Sequence, residues 1–299
     1  MKQLETQIVE IFCEMDEFCK VYENYCQKNL LVDKSQITPK SGISLSEIMT
    51  ILVCFHLSNH RTFKWFYLGL VQLCWKKHFP KLPSYNRFVE LMRVAIVPLT
   101  LYMVSKCSGN CTGISFVDST TLDVCHTRRI NFHKVFKNLA KKAKSSTGWF
   151  YGFKLHLVIN DRGEIISFCL TAGNVDDRNT DVMDHLSKNL FGKLFGDRGY
   201  LSKTLFEDLY QKNITLVTKL KKNMKNRLMD LCDKILLRKR AIIESVNDFL
   251  KNICQIEHTR HRSPTNFLAN LVSGVVAYCF IPKKPSLNID RNIYGLLAA

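Results

Sequence analysis

The sequence contains no uninterrupted run of about 18 apolar residues, the length that marks a bilayer-spanning helix. Its first thirty residues are polar and acidic, without the basic start, apolar middle and small-residue cleavage site of an export signal. The expectation is a soluble chain retained in the cytoplasm, with no membrane role. A compact cysteine framework is missing too. Twelve cysteines are spread along 299 residues, and reduced thiols are expected of a large chain without an export signal. The nearest metal-like spacings are Cys107 with Cys111, and Cys13, Cys19 and Cys26 along one expected helix. Neither resembles the paired short spacings of a zinc site. Internal repeats and low-complexity tracts are also absent, and 46% hydrophobic residues suffice for a real core.

Acids are scarce where bases are dense. The formal net charge is +17, yet residues 1–31 set Lys2, Lys20 and Lys28 against Glu5, Glu10, Glu14, Asp16, Glu17 and Glu23. The excess therefore falls on the rest of the chain. Residues 126–144, HTRRINFHKVFKNLAKKAK, hold seven Lys or Arg and no acid. Lys219, Lys221, Lys222, Lys225 and Arg227 form a second cluster. Such clusters are the footprint of a polyanion partner; a basic surface that serves only solubility is the alternative. Neither cluster forms the clean amphipathic basic helix of a membrane-surface protein.

The first hundred or so residues read as helical. Leu4, Ile8, Ile11, Phe12, Met15, Phe18, Tyr22 and Tyr25 recur at the spacing of one helical face. SLSE at 44–47 is a capping box ahead of an apolar run. FKWFYLGLVQLCW suits a further helix, and Ser84 or Asn86 can cap the segment that follows. Ser, Gly, Asn and Thr crowd together at 106–113 as a linker, dividing a helical region, 1–110, from a second domain, 111–285, with a tail at 286–299.

Beyond the linker the texture is mixed. ISFVDS reads as a short strand, and WFYGFKLHLVINDRGEIISFCLTAGN as two β-rich runs around an NDRG turn. Next come a helix over 177–190, the strand KLFGD, a helix over 202–212, the strand ITLVTKL and a long helix over 234–253. That order predicts a mixed α/β sheet flanked by helices. At 100° per residue the long helix places Ile235, Ile242, Val246, Phe249, Leu250 and Ile253 in one arc, intruded on by Lys239. Arg240, Glu244, Asp248 and Lys251 fall opposite.

ISFVDS and KLFGD share a design: an apolar run ending in an acid, Asp118 and Asp197. Asp197 between glycines also suits a solvated turn, but open α/β sheets place their chemistry at strand ends. With Glu244 they make three hard-oxygen donors, able to hold two Mg2+ ions, with Mn2+ as a possible substitute, for an in-line displacement at phosphorus. A basic surface would hold the DNA. Other acids have structural uses: Asp161 in the hairpin turn, Asp176 and Asp177 as helix caps, and Asp230 and Asp233 near another helix start. Asp123 follows the first strand too late to lie at its end.

FVDST, GWFYGFKLHLVINDRGEI, TAGNVDDRN, LFGDRGY, KNMKNRL, LLRKRAIIESVNDFLKNICQIEHTRHRS and KKPSL, with PSYNRFVELM before them, resemble DDE-type insertion-sequence transposases, most closely the insertion-sequence 982 family. The resemblance implies an all-α N-terminal DNA-binding region and a ribonuclease H-like catalytic domain whose metal-binding acids are Asp118, Asp197 and Glu244. It implies cleavage at an element's ends and attack of the freed 3′-hydroxyl on target DNA. The partners implied are double-stranded terminal inverted repeats and target DNA, held by a homodimer or higher oligomer associated with a bacterial nucleoid. Related transposases of the insertion-sequence 4 group carry a Tyr, Arg, Glu and Lys at set helix spacings. Arg240, Glu244 and Lys251 match, whereas Leu237 replaces the tyrosine.

Arg240 and Lys251 can hold terminal phosphates or simply pair along the helix. Arg198 can contact phosphate or pair with Asp197. His126, Arg128, Arg129, His133 and Lys134 can track DNA or form a solvated loop, and His258, Arg260, His261 and Arg262 form a late basic cluster. His156 reads as structural, and Trp149 as strand-edge packing rather than base stacking. The alternative function is a catalytically silent DNA-binding relic or regulator.

Overall fold

The computed structural model describes residues 2–29, 42–146, 148–219, 229–257, 261–287 and 289. The expectations for Lys221, Lys222, Lys225, Arg227, His258, Arg260 and most of the tail from 286 lie outside the described residues. The chain forms two compact units. The first is Met1–Cys107 with Phe249–Glu257 and His261–Phe280, and the second is chiefly Ser108–Asp248.

The described part of the first unit is helical. Helix Lys2–Asn29 buries Ile8, Ile11, Met15, Cys19 and Cys26, so two of its cysteines belong to the packed stripe. Helix Leu45–Leu57 opens with the expected capping box: Ser44 Oγ accepts the Glu47 amide (3.1 Å), and Glu47 Oε2 accepts the Ser44 amide (2.7 Å). Helix Pro264–Cys279 packs against it. His56 joins the two, with Nδ1 bonded to the Cys254 carbonyl and Nε2 to Ser273 Oγ at 3.0 Å. The helix from Pro264 belongs here because its apolar residues recur on every side and leave no solvent face.

Tyr85–Cys107 is interrupted by Glu90 and Arg93, so it is no uninterrupted apolar run, yet it is the most apolar long helical stretch among the described residues. Its 23 residues include an 18-residue window of mean hydropathy 1.6, long and apolar enough to cross a membrane by length and composition. Phe88, Leu91, Ala95, Leu99, Tyr102 and Met103 are buried in the unit, as in the core helix of a globular bundle.

The second unit is built on a mixed six-stranded sheet: β1 Ile114–Asp123, β2 Lys141–Ser145, β3 Gly148–Asn160, β4 Ile165–Ala172, β5 Gly192–Gly196 and β6 Ile214–Thr218. β1, β5 and β6 run parallel, while β3 pairs antiparallel with β1, β2 and β4. β2 and β4 share one edge of β3, meeting near Gly152 and Phe153. Asn160–Gly163 closes the expected β3–β4 hairpin. Helices Thr180–Ser187 and Lys203–Gln211 bury Val182, Met183, Leu186, Leu205 and Leu209 with Val117, Val158, Leu194 and Leu216. Leu231–Lys239 lies against β5 and β6, and Ala241–Asp248 against β1.

Two helix expectations change here. Asn179, not Asp176 or Asp177, caps Thr180–Ser187, its side chain accepting the Val182 amide at 3.1 Å. The predicted helix 234–253 is also broken. It turns at Arg240, restarts at Ala241 and winds as a π-helix over Phe249–Ile253. The break resets the helical phase, leaving Lys239 exposed rather than intruding on a buried face.

Candidate active site

Pairing register explains where Asp118 and Asp197 stand. β1 is longer than ISFVDS, so Asp118 is mid-strand and Asp123 is the last residue. Antiparallel pairing with β3 persists from Ser115 to Asp123, whereas parallel pairing with β5 stops at Phe116 opposite Phe195. Asp118 and Asp197 each lie two residues past that final pair. Asp118, still paired with β3, and Asp197, just past the end of β5, therefore both stand where the two parallel strands part, the usual place for chemistry in open α/β sheets.

Asp197 caps a short helical turn, Arg198–Tyr200, and accepts the Gly199 amide at 2.7 Å. A Cβ on Gly199 would stand 2.8 Å from Asp197 Oδ1. Glycine is therefore what permits this contact.

Arg240, at the break between the two helices, ties the third acid to the first. Its Nη2 donates to Glu244 Oε1 at 2.7 Å, and its Nη1 lies 3.6 Å from Asp118 Oδ2. The second distance gives charge compensation but no hydrogen bond. Nη1 is a buried donor with no hydrogen-bond partner among the described residues.

Burial pushes the Asp118 carboxyl up to about 6, opposed by Arg240 and the Ser119 amide and reinforced by the charges of Asp197 and Glu244. The three acids thus share one electrostatic environment. Tyr200 lies close enough to feel it: its ring is buried, its hydroxyl lacks a hydrogen-bond partner among the described residues, and its pKa is raised well above normal by burial and by Asp177, Asp118 and Asp197. Asp177 accepts from Lys154 Nζ at 3.0 Å and lies 3.7 Å from His156 Nδ1. His156 is buried, and burial lowers its pKa to about 4. It is structural, as expected.

All three carboxylates offer the hard oxygens that Mg2+ prefers, and their surplus negative charge is what a divalent cation relieves. Among the described residues, however, no three acidic, His or Cys side chains gather closely enough to hold an ion. The donor chemistry fits; the arrangement has Arg240 as its counter-charge.

A cleft of about 260 Å³ opens here, lined by Gly196, Asp197, Arg198, Lys219, Leu237 and Arg240. Arg198 is exposed, so it can meet a ligand in the cleft. Lys251 belongs to the first unit and pairs with Glu257 at 3.1 Å. The π-winding before it removes the 100° basis for placing it on the Glu244 arc. Arg128, Arg129 and Lys134 are exposed after β1, on a segment anchored over β3 where His133 stacks on Phe136 and meets Tyr151 edge-on. None of the twelve cysteines is in a disulfide.

Tyr200 was not singled out from sequence. The available signal was GDRGY, which places Tyr200 three residues after Asp197.

No curated protein matches the chain. In fold, the chain is similar to a piggyBac transposase in a synaptic complex with hairpin DNA, at 13% identity and a TM-score of 0.48, covering 96% of this chain and 77% of that one. The family model for the transposase DDE domain matches residues 108–264. That span holds β1, β5 and the Arg240–Glu244 helix, and it amounts to more than half of the chain: this protein belongs to the transposase DDE domain family.

Proposed function

We propose that the chain is a DNA transposase of the insertion-sequence type, closest to the insertion-sequence 982 family. In this reading a ribonuclease H-like domain cleaves the ends of an element and joins them to target DNA, and Asp118, Asp197 and Glu244 act as one centre. The observation that carries it is the electrostatic coupling of these acids around Arg240, whose buried Nη1 lacks a hydrogen-bond partner among the described residues and belongs to a residue lining the cleft.

Asp118, Asp197 and Glu244 are the residues that would hold divalent metal, Mg2+ or Mn2+, as two ions. Such ions supply charge stabilisation to the attacking and leaving oxygens of an in-line displacement at phosphorus. The chain's own side chains do the rest. Arg240 and Arg198 offer planar bidentate donors to a phosphate and Lys219 a point charge. Arg128, Arg129, Lys134 and Lys251 extend phosphate contact away from the centre. The N-terminal helices recognise double-stranded terminal inverted repeats, and a homodimer or higher oligomer brings two ends together in the cytoplasm.

Glu244 held by Arg240 also suits the second reading, a catalytically silent DNA-binding relic or regulator. A nicking assay on DNA bearing the element's ends, with Mg2+ and a Glu244→Gln control, separates the two. Cleavage by the wild type alone supports the transposase. Binding without cleavage by either protein supports the silent binder, and equal cleavage by both removes Glu244 from the centre.

A further inference from the structure

One edge of the sheet carries an exposed aromatic that core packing does not explain. Trp149 is 59% exposed near the start of β3. Lys144 of β2 stands opposite it in register, and Lys142 Nζ lies 4.8 Å from its ring centroid. Lys141, Lys142 and Lys144 are all exposed, and the stretch 126–144 that leads into β2 contains no acid. Phe132, in that same stretch, is 84% exposed.

Each feature is unfavourable alone: bare aromatic surface is held in water, and like charges are gathered with no acid in the segment. A partner that satisfies both must carry regular negative charge and present open aromatic faces. A DNA duplex meets only the first condition, because its bases are stacked on one another. Single-stranded DNA meets both.

We propose that the β2–β3 edge is a binding site for single-stranded DNA, with Trp149 stacking on an unpaired base while Lys142 and Lys144 hold the flanking phosphates. Lys142, already beside the ring, is placed to meet the phosphate next to a stacked base, and cation–π attraction to the indole holds it there meanwhile. The site deepens the transposase reading and rests on DNA being the substrate, since strands opened at a cleaved end supply unpaired bases.

The test uses the full chain and fluorescence anisotropy, with labelled oligothymidine as the single-strand probe and a mixed-sequence duplex as the comparison. Trp149→Ala should weaken oligothymidine binding by between about five-fold and a hundred-fold, the range for one lost base stack, while changing duplex binding less than about two-fold. Trp149→Phe should keep most of the single-strand affinity. In a Trp65→Phe background, oligothymidine should quench tryptophan emission, and Trp149→Ala should remove that quenching. Unchanged single-strand affinity in Trp149→Ala, or equal losses for both probes, overturns the proposal. Binding is read without cleavage, so a chain that nicks nothing but loses oligothymidine with Trp149 contradicts only the transposase reading. One that nicks DNA yet binds oligothymidine independently of Trp149 contradicts only this site.

Discussion

Arg240 stands 3.6 Å from Asp118, offsetting a charge whose burial would otherwise raise the carboxyl further, and its Nη1 has no hydrogen-bond partner among the described residues. A guanidinium anchored to Glu244 through Nη2, with its buried Nη1 unbonded, is a donor held ready for an incoming oxyanion. Arg240→Ala should lower both end binding and nicking by about ten-fold to a hundred-fold, the range for a lost hydrogen bond to a charged group. Arg240→Lys should restore only part, because an ammonium lacks the planar fork. Gel-shift and nicking assays on the same DNA check this.

The Gly199 amide orients Asp197, so a methyl group at 199 should act through that acid. Its Cβ would lie 2.8 Å from Asp197 Oδ1, displacing the carboxylate from its 2.7 Å bond. Gly199→Ala should lower the nicking rate more than ten-fold, roughly the factor carried by one net hydrogen bond at the site, while far-UV circular dichroism stays that of the wild type.

The Tyr200 hydroxyl is buried with no hydrogen-bond partner among the described residues. Removing it deletes a desolvated polar group and leaves the ring in place. Tyr200→Phe should leave the melting temperature unchanged or raise it, by up to about 1 kcal/mol in stability, whereas a hydroxyl bonded in solution would give a clear loss.

Two buried histidines should make the chain acid-sensitive. Burial lowers His56 and His156 to about 4, below the value of about 6.5 expected when unfolded. The unfolded chain therefore binds more protons between those values, and stability rises with pH across that window. It is fully present above pH about 6.5 and lost as pH falls towards 4, on the order of 3 kcal/mol for His56. Urea midpoints across this range check it, and His56→Gln should flatten the dependence.

Loss of the capping box should destabilise the first unit. Ser44→Ala removes the acceptor of the Glu47 amide and should cost about 1 kcal/mol, read as a lower urea midpoint with an unchanged slope.

Much of this was legible in the sequence because the signals are local. SLSE specified a cap, and the apolar runs before Asp118 and Asp197 specified strands. NDRG specified the turn between β3 and β4. What was hidden depends on pairing. Nothing local shows that β1 continues past Asp118, since the reason is β3 opposite it. The break at Arg240 separates two stretches that both have helical periodicity. β2 was masked because KKAKS lacks the apolar alternation of a half-buried strand; it is an edge strand whose lysines face solvent. Helix Pro264–Cys279 joins the first unit through packing with residues some two hundred positions earlier, which no window of sequence contains.

The most direct measurement is single-turnover nicking of end-bearing DNA by Asp118→Asn, Asp197→Asn, Glu244→Gln and the three double variants, each with its DNA affinity measured alongside. If the acids work as one centre, each single substitution should cost about a thousand-fold or more with DNA binding retained, and the doubles should lose little further, as residues acting as a unit do. Losses that simply multiply, or any single variant cleaving at the wild-type rate, would contradict a shared Asp118–Asp197–Glu244 centre.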